Sequence, residues 1–135
     1  MRPKFLDANI ILRYLTNDLP DESLRCERLF KNTANSKEAL FTNILVIAEV
    51  IWVLFSGYHF PKDKVIEGIR KILNTPNIHL DEEEIILSAL YLFEKSNMDF
   101  IDAYNAAMME HKGISAIYSY DRHYDQVSEV KRLKP

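Results

Sequence analysis

Short apolar runs alternate along this chain with longer stretches of helical period, the pattern of a parallel sheet covered by helices. Residues 4–6 read as the first strand. A helix follows from about Asn9, with Ile10, Ile11, Tyr14 and Leu15 spaced for one buried face, and the turn at 18–21 ends it. Pro20 suits the first turn of a second helix, where its missing N–H costs little; that helix carries Leu24, Leu29 and Phe30. Residues 39–42 read as a second strand, Asn43 as an N-cap, and 44–55 as a largely buried helix stopped at Ser56-Gly57-Tyr58. A helix over 61–73 and a short strand over 78–80 come next. Asp81 is expected to cap a helix running to about Ser96, and Asp99 one running to about Lys112, closed by Gly113 in the left-handed conformation. Residues 114–120 form the last well-marked strand, and 130–133 add a short edge.

This order predicts an α/β fold with a central, mostly parallel sheet of four to five short strands flanked by helices. A chain of 135 residues, 47% apolar and 27% charged, has the make-up of one domain over 1–135 with its own core. The longest apolar run, 44–55, is interrupted by Glu49 and falls well short of the roughly 20 residues a membrane span needs, so no membrane role is expected. Asp7 interrupts the amino terminus before a signal-like apolar stretch can grow, and the lone Cys26 reads as a core thiol in a reducing compartment. A cytoplasmic location is the expectation.

The net charge of −3 argues against a broad basic face that coats nucleic acid. It does not argue against a nuclease, because a carboxylate site that holds a divalent cation is acidic by construction. Asp7 and Asp121 each follow a predicted strand directly, and in open parallel sheets ligands bind outside the carboxyl ends of strands. Glu49 is the one charged side chain in an apolar helix, so it must be protonated, paired, or turned toward a polar pocket. Asp102 lies in the first turn of the helix opened by Asp99, where the positive end of the helix favours a carboxylate. Four carboxylates gathered on one rim would repel without a cation. Oxygen ligands of this kind suit Mg2+ or Mn2+, which would activate and orient a water for attack on phosphorus.

The residues at these positions resemble the PIN domain family, and most closely its VapC-type toxins. Phe5-Leu6-Asp7-Ala8-Asn9-Ile10-Ile11 is similar to the family's first motif, Ile47-Ala48-Glu49-Val50 to its glutamate motif, Asp99-Phe100-Ile101-Asp102-Ala103 to its third and Ser119-Tyr120-Asp121-Arg122-His123-Tyr124-Asp125 to its fourth. The resemblance implies a three-layer PIN-like fold and a Mg2+- or Mn2+-dependent endoribonuclease, with Asp7, Glu49, Asp102 and Asp121 as catalytic metal ligands. It further implies an RNA substrate, a homodimer, and a cognate antitoxin, as in a type II toxin and antitoxin pair. The fourth motif departs from the usual pattern. Ser119 and Tyr120 stand where threonine and phenylalanine are more common, and His123 where relatives are often acidic, with Asp125 a possible substitute.

Supporting roles are open to Asn9, Ser119 and Asn105, and phosphate contacts to Arg13, Lys112 and Arg122. Plainer readings stand beside these. Asp7 and Asn9 read equally as a turn and an N-cap, Asp102 as a complement to its helix dipole, Asp99 as a cap, and Glu49 as the partner of Arg13 in a buried ion pair. The four histidines are scattered without zinc-like pairing, so none is assigned to a metal. Tyr14, Trp52 and Tyr58 suit either a core or a dimer contact. Two other functions compete: an aspartyl phosphatase-like phosphotransfer enzyme with Asp7 as nucleophile, and a non-catalytic interaction module.

Overall fold

The computed structural model describes residues 1–135, which fall into two compact units, Met1–Asp81 and Glu82–Pro135. The first unit runs β1 (Lys4–Phe5), α1 (Ala8–Leu15), α2 (Pro20–Ala34), β2 (Leu40–Thr42), α3 (Ile44–Ser56), α4 (Lys62–Leu73) and β3 (Ile78–Leu80). Its three strands pair in the order β1-β2-β3, all parallel, with Lys4 opposite Leu40 and Thr42 opposite Leu80. Each parallel step is bridged by two helices, as parallel pairing requires a long return.

The helical pattern sets the core. On α3, Ile47, Val50, Ile51 and Leu54 recur at helical spacing and are buried, joined by Ile11 of α1 and by Val65, Ile69 and Ile72 of α4. Each such side chain contributes on the order of 1.5–3 kcal/mol through the apolar surface it removes from water. The helix is not buried all round, however. Leu45 and Trp52 are 76% and 70% exposed, and Glu49 lies exposed between them on the same stripe, so its charge is met by solvent. Thr42 is wholly buried, and its hydroxyl donates to the Leu6 carbonyl at 2.9 Å, tying the end of β2 to the end of β1 just before Asp7.

Capping follows local chemistry. Asn43 caps α3 by accepting from the Val46 N–H at 3.0 Å, and Asp7 caps α1 by accepting from the Ala8 N–H at 2.8 Å. Cys26 is buried on α2, and burial pushes its thiol pKa up, as expected of an unreactive core cysteine.

The second unit runs α5 (Glu83–Lys95), α6 (Phe100–Lys112), β4 (Ala116–Tyr118), a 3-10 helix (Arg122–Gln126) and β5 (Lys131–Leu133). Ile86, Ala89, Leu90 and Phe93 of α5 are buried, as are Phe100, Ala103, Ala106 and Ala107 of α6, where small side chains let the two helices pack closely. Phe93 and Phe100 meet edge to face at 6.1 Å. Gly113 closes α6 at φ 71°, as its position predicted.

Two expectations change. All five strands pair in parallel, but in two sheets of three and two strands, with β4 pairing β5 (Ala116 opposite Lys131). Asp81 does not cap α5; that place falls to Glu82, in the left-handed region at φ 58°, whose carboxylate accepts from no N–H of the helix and instead accepts from the Tyr104 hydroxyl. No helix is long and apolar enough to cross a membrane.

Candidate active site

The densest chemistry lies in the second unit, at the start of α6 and just beyond β4. Asp99 caps α6 by accepting from the Asp102 N–H at 2.9 Å, which places the Asp102 side chain on the first turn. Tyr124, buried on the 3-10 helix, reaches back with its hydroxyl to donate to Asp102 Oδ1 at 3.0 Å, and the Tyr124 hydroxyl oxygen itself accepts from Asn105 Nδ2 at 3.1 Å. Asn105 is one turn beyond Asp102 on α6, so both ends of this relay are fixed by one helix. Asp102 therefore has one oxygen held by a phenol, with the Asp121 carboxyl close beside it.

Asp121 is set by its own turn. Ser119 Oγ accepts from the Asp121 N–H at 2.9 Å, and Asp121 Oδ1 accepts from the His123 N–H at 2.8 Å. Asp121 is the cap of the 3-10 helix, so the chain turns just after the strand end, as the sequence placed it. His123 Nδ1 lies 3.1 Å from the same Asp121 oxygen.

Asp102, Asp121 and His123 each offer one ligand atom, and these atoms all lie within 4.8 Å of one another. The electrostatics agree with this crowding. Burial pushes the Asp102 carboxyl above its ordinary range, opposed by the Tyr124 hydroxyl and reinforced by Asp121 and Asp99 nearby. The His123 backbone N–H holds Asp121 below the ordinary range. Adjacent carboxylates, one resisting ionisation, are the arrangement a divalent cation relieves. An octahedral ion with ligands at about 2.1 Å sets neighbouring donors about 3 Å apart and opposite donors about 4 Å apart, so the three residues fit such an ion with only slight closure.

Asp7 and Glu49 belong to the first unit, and both are exposed there. Asp7 uses Oδ1 to cap α1. The ion pair considered between Glu49 and Arg13 does not form: Arg13 Nε donates to Glu22 at 2.8 Å and its Nη1 lies 3.8 Å from Asp18. Asn9 is exposed on α1, and Lys112 and Arg122 are exposed in the second unit. Asp125, the possible substitute ligand, instead takes a two-pronged pair from Arg132 at 3.0 and 3.2 Å. Tyr14 stacks on Phe30 at 4.1 Å under Lys71, and the Tyr58 hydroxyl donates to Asp18 at 2.7 Å, so both act as structural aromatics of the first unit. A cleft of about 540 Å3 lies in that unit among Tyr14, Asp18, Tyr58 and Lys71, and includes none of the four carboxylates.

Two residues beside these carboxylates carry little signal in the sequence. His123 has no second histidine at zinc-like spacing, and only its Asp-x-His offset from Asp121 points to it. Tyr124 has no signal beyond its place in the fourth motif.

A parallel α/β architecture with one aspartate at a helix start and a second beyond a strand end defines an α/β protein with a candidate cation site. Within that class the assignment is specific: residues 4–130 match the PIN domain, and the chain belongs to that family. It is 24% identical to a VapC ribonuclease of Aquifex aeolicus (strain VF5) over 132 residues, 98% of this chain and 96% of that one. The VapC20 toxin of Mycobacterium tuberculosis, which cleaves the sarcin-ricin loop, aligns over 97% of this chain and 98% of its own at 18% identity and a TM-score of 0.42.

Proposed function

We propose that the whole chain acts as one PIN domain, a Mg2+- or Mn2+-dependent endoribonuclease and the toxin of a type II toxin and antitoxin pair. The observation that carries this reading is the Asp102–Asp121–His123 cluster in a chain that matches the family from residue 4 to 130 and resembles a VapC ribonuclease over nearly its full length. Asp102 and Asp121 hold the cation, and Asp7 and Glu49 are the further carboxylates that the reaction requires. When bound, a divalent ion neutralises phosphate charge and promotes ionisation of the attacking water.

The chain's own groups do the rest. Tyr124, fixed by Asn105, pins one oxygen of Asp102 beside the Asp121 carboxyl. The His123 N–H and Ser119 together fix the Asp121 turn, so the second carboxylate is oriented before any substrate arrives. Attack by water leaves the RNA 2′-hydroxyl out of the chemistry, so products carry 5′-phosphate and 3′-hydroxyl ends. Exposed Lys112 and Arg122 of the second unit are the candidates for phosphate contact. A homodimer in the cytoplasm, silenced by a cognate antitoxin, completes the reading.

The test is cleavage of RNA by purified protein freed of any partner, in Mn2+, with chelator and with Asp7→Asn, Glu49→Gln, Asp102→Asn and Asp121→Asn. Each substitution is expected to lower the rate by on the order of 100-fold with the fold intact. Activity that survives the chelator and all four variants, or cyclic phosphate products, would overturn it.

A further inference from the structure

We propose that Tyr118 and Tyr120 form a stacking platform for unpaired bases of the RNA, with Lys131 beside them to meet its phosphates. The inference rests on the ribonuclease reading above and adds to it the side chains that hold the substrate. Tyr118 and Tyr120 are 71% and 73% exposed. Neither ring stacks on another, and neither hydroxyl is hydrogen-bonded within the chain. The Ser119 N–H donates to the Leu133 carbonyl at 3.1 Å, so the pairing of β4 with β5 carries past Tyr118. Side chains alternate across a strand, which sets Ala116, Tyr118 and Tyr120 on one face. The register adds Lys131, opposite Ala116, to that face. The other face is occupied: Arg132 is tied to Asp125 at 3.0 Å and donates to the Ser119 carbonyl at 3.4 Å, and Ile117 and Ser119 are half-buried. The strand pair is thus pinned on one side and bare on the side that carries both tyrosines.

A single exposed apolar side chain is ordinary, but two neighbouring aromatics on one bare face mark a binding surface. Three features of this face select a nucleic acid strand. Residues two apart on a strand lie about 6.6 Å apart, twice the roughly 3.4 Å rise of stacked bases, so one base fits between the rings. Every base offers a π-face, so such stacking needs no particular sequence. The charge agrees: in a unit rich in acids, residues 113–120 and 130–135 contain none, while Lys131, Arg132 and Lys134 gather on β5 and just beyond it. Tyr120 also directly precedes Asp121, so the platform is continuous along the chain with the carboxylate cluster. A base held on it brings the adjoining phosphodiester to that cluster.

The experiment uses the purified full chain and a short single-stranded RNA carrying one 2-aminopurine, in chelator so that the strand stays whole. Binding is expected to quench the 2-aminopurine, and to weaken about tenfold in Tyr118→Ala and in Tyr120→Ala. Tyr118→Phe and Tyr120→Phe, which keep the rings, are expected to bind like the parent. An abasic strand of the same length should bind parent and alanine variants alike, and Lys131→Ala should weaken both strands with a shallower salt dependence. Because the rings are exposed, the alanine variants should melt with the parent; a marked loss of thermal stability would overturn the proposal by showing rings packed within the fold. No quenching by the parent, or equal affinity in parent and alanine variants, would overturn it too, and loss of self-association in those variants would then assign the face to a second copy. In Mn2+ the alanine variants should raise KM and leave kcat unchanged. Cleavage with the parental KM in those variants, still abolished by Asp121→Asn, would strike the platform and leave the ribonuclease reading. Base-dependent binding without cleavage by the parent would do the reverse.

Discussion

Tyr124 is the buried aromatic whose polar tip is spent entirely on the cluster. Its ring is 4% exposed, its hydroxyl proton goes to Asp102, and its oxygen takes the Asn105 amide proton. Burial raises the Tyr124 pKa first, and the hydrogen bond to Asp102 adds to it, so the phenol remains a donor across the neutral range. Tyr124→Phe keeps the apolar body and deletes that one atom. It should cost about 1–2 kcal/mol in denaturant unfolding, because a bond to a carboxylate is lost and the Asn105 amide loses its acceptor. Mn2+ affinity should fall about tenfold as Asp102 gains freedom. Unchanged stability and unchanged affinity would remove Tyr124 from any positioning role.

At the scale of elements, the caps were legible from the sequence and the pairings were not. Asp7, Asn43 and Asp99 each announce a helix start, since a short polar side chain before an apolar periodic run meets a free N–H. Gly113 announces an end in the same local way. Strand partners are chosen by groups distant in sequence, so a chain can show five short strands without showing that they divide between sheets of three and two. Glu49 illustrates a different gap: apolar neighbours in sequence suggested burial, yet Leu45 and Trp52 share its exposed stripe, because the buried stripe of α3 is already filled by Ile47, Val50, Ile51 and Leu54. The place of Glu82 was hidden because its carboxylate is engaged by Tyr104, 22 residues away, whose hydroxyl donates to Glu82 at 2.6 Å.

That link between α6 and the start of α5 has a pH signature. The bond to Glu82 raises the Tyr104 pKa from 10.0 to about 12, with desolvation adding to it. The folded chain thus holds this proton more tightly than the unfolded chain. The stability it contributes is complete below pH 10 and is lost as pH climbs from 10 to about 12. Tyr104→Phe should be less stable than the parent at pH 8 and should lose less on going to pH 12. Thermal unfolding of both proteins at several pH values checks this, and parallel curves would refute it.

At the scale of the molecule, a net charge of −3 and a cluster of acidic and imidazole donors mean that, under the proposed function, recognition of a phosphate chain falls to a bound cation and a few surface bases. That division of labour is the expectation that composition and motif order set, and Asp102 and Asp121 were named from their motifs. The approach of His123 to them was not legible, because it arises where a helix start and a strand end converge. One feature of the surface also makes the protein its own reporter. Trp52 is the sole indole in the chain and stands 70% open to water on α3. Its fluorescence in the isolated chain should peak at the red wavelengths of a hydrated ring. A second copy or a partner settling over that helix would shift the emission to the blue without any label, so a dilution series read at one excitation wavelength measures the association directly.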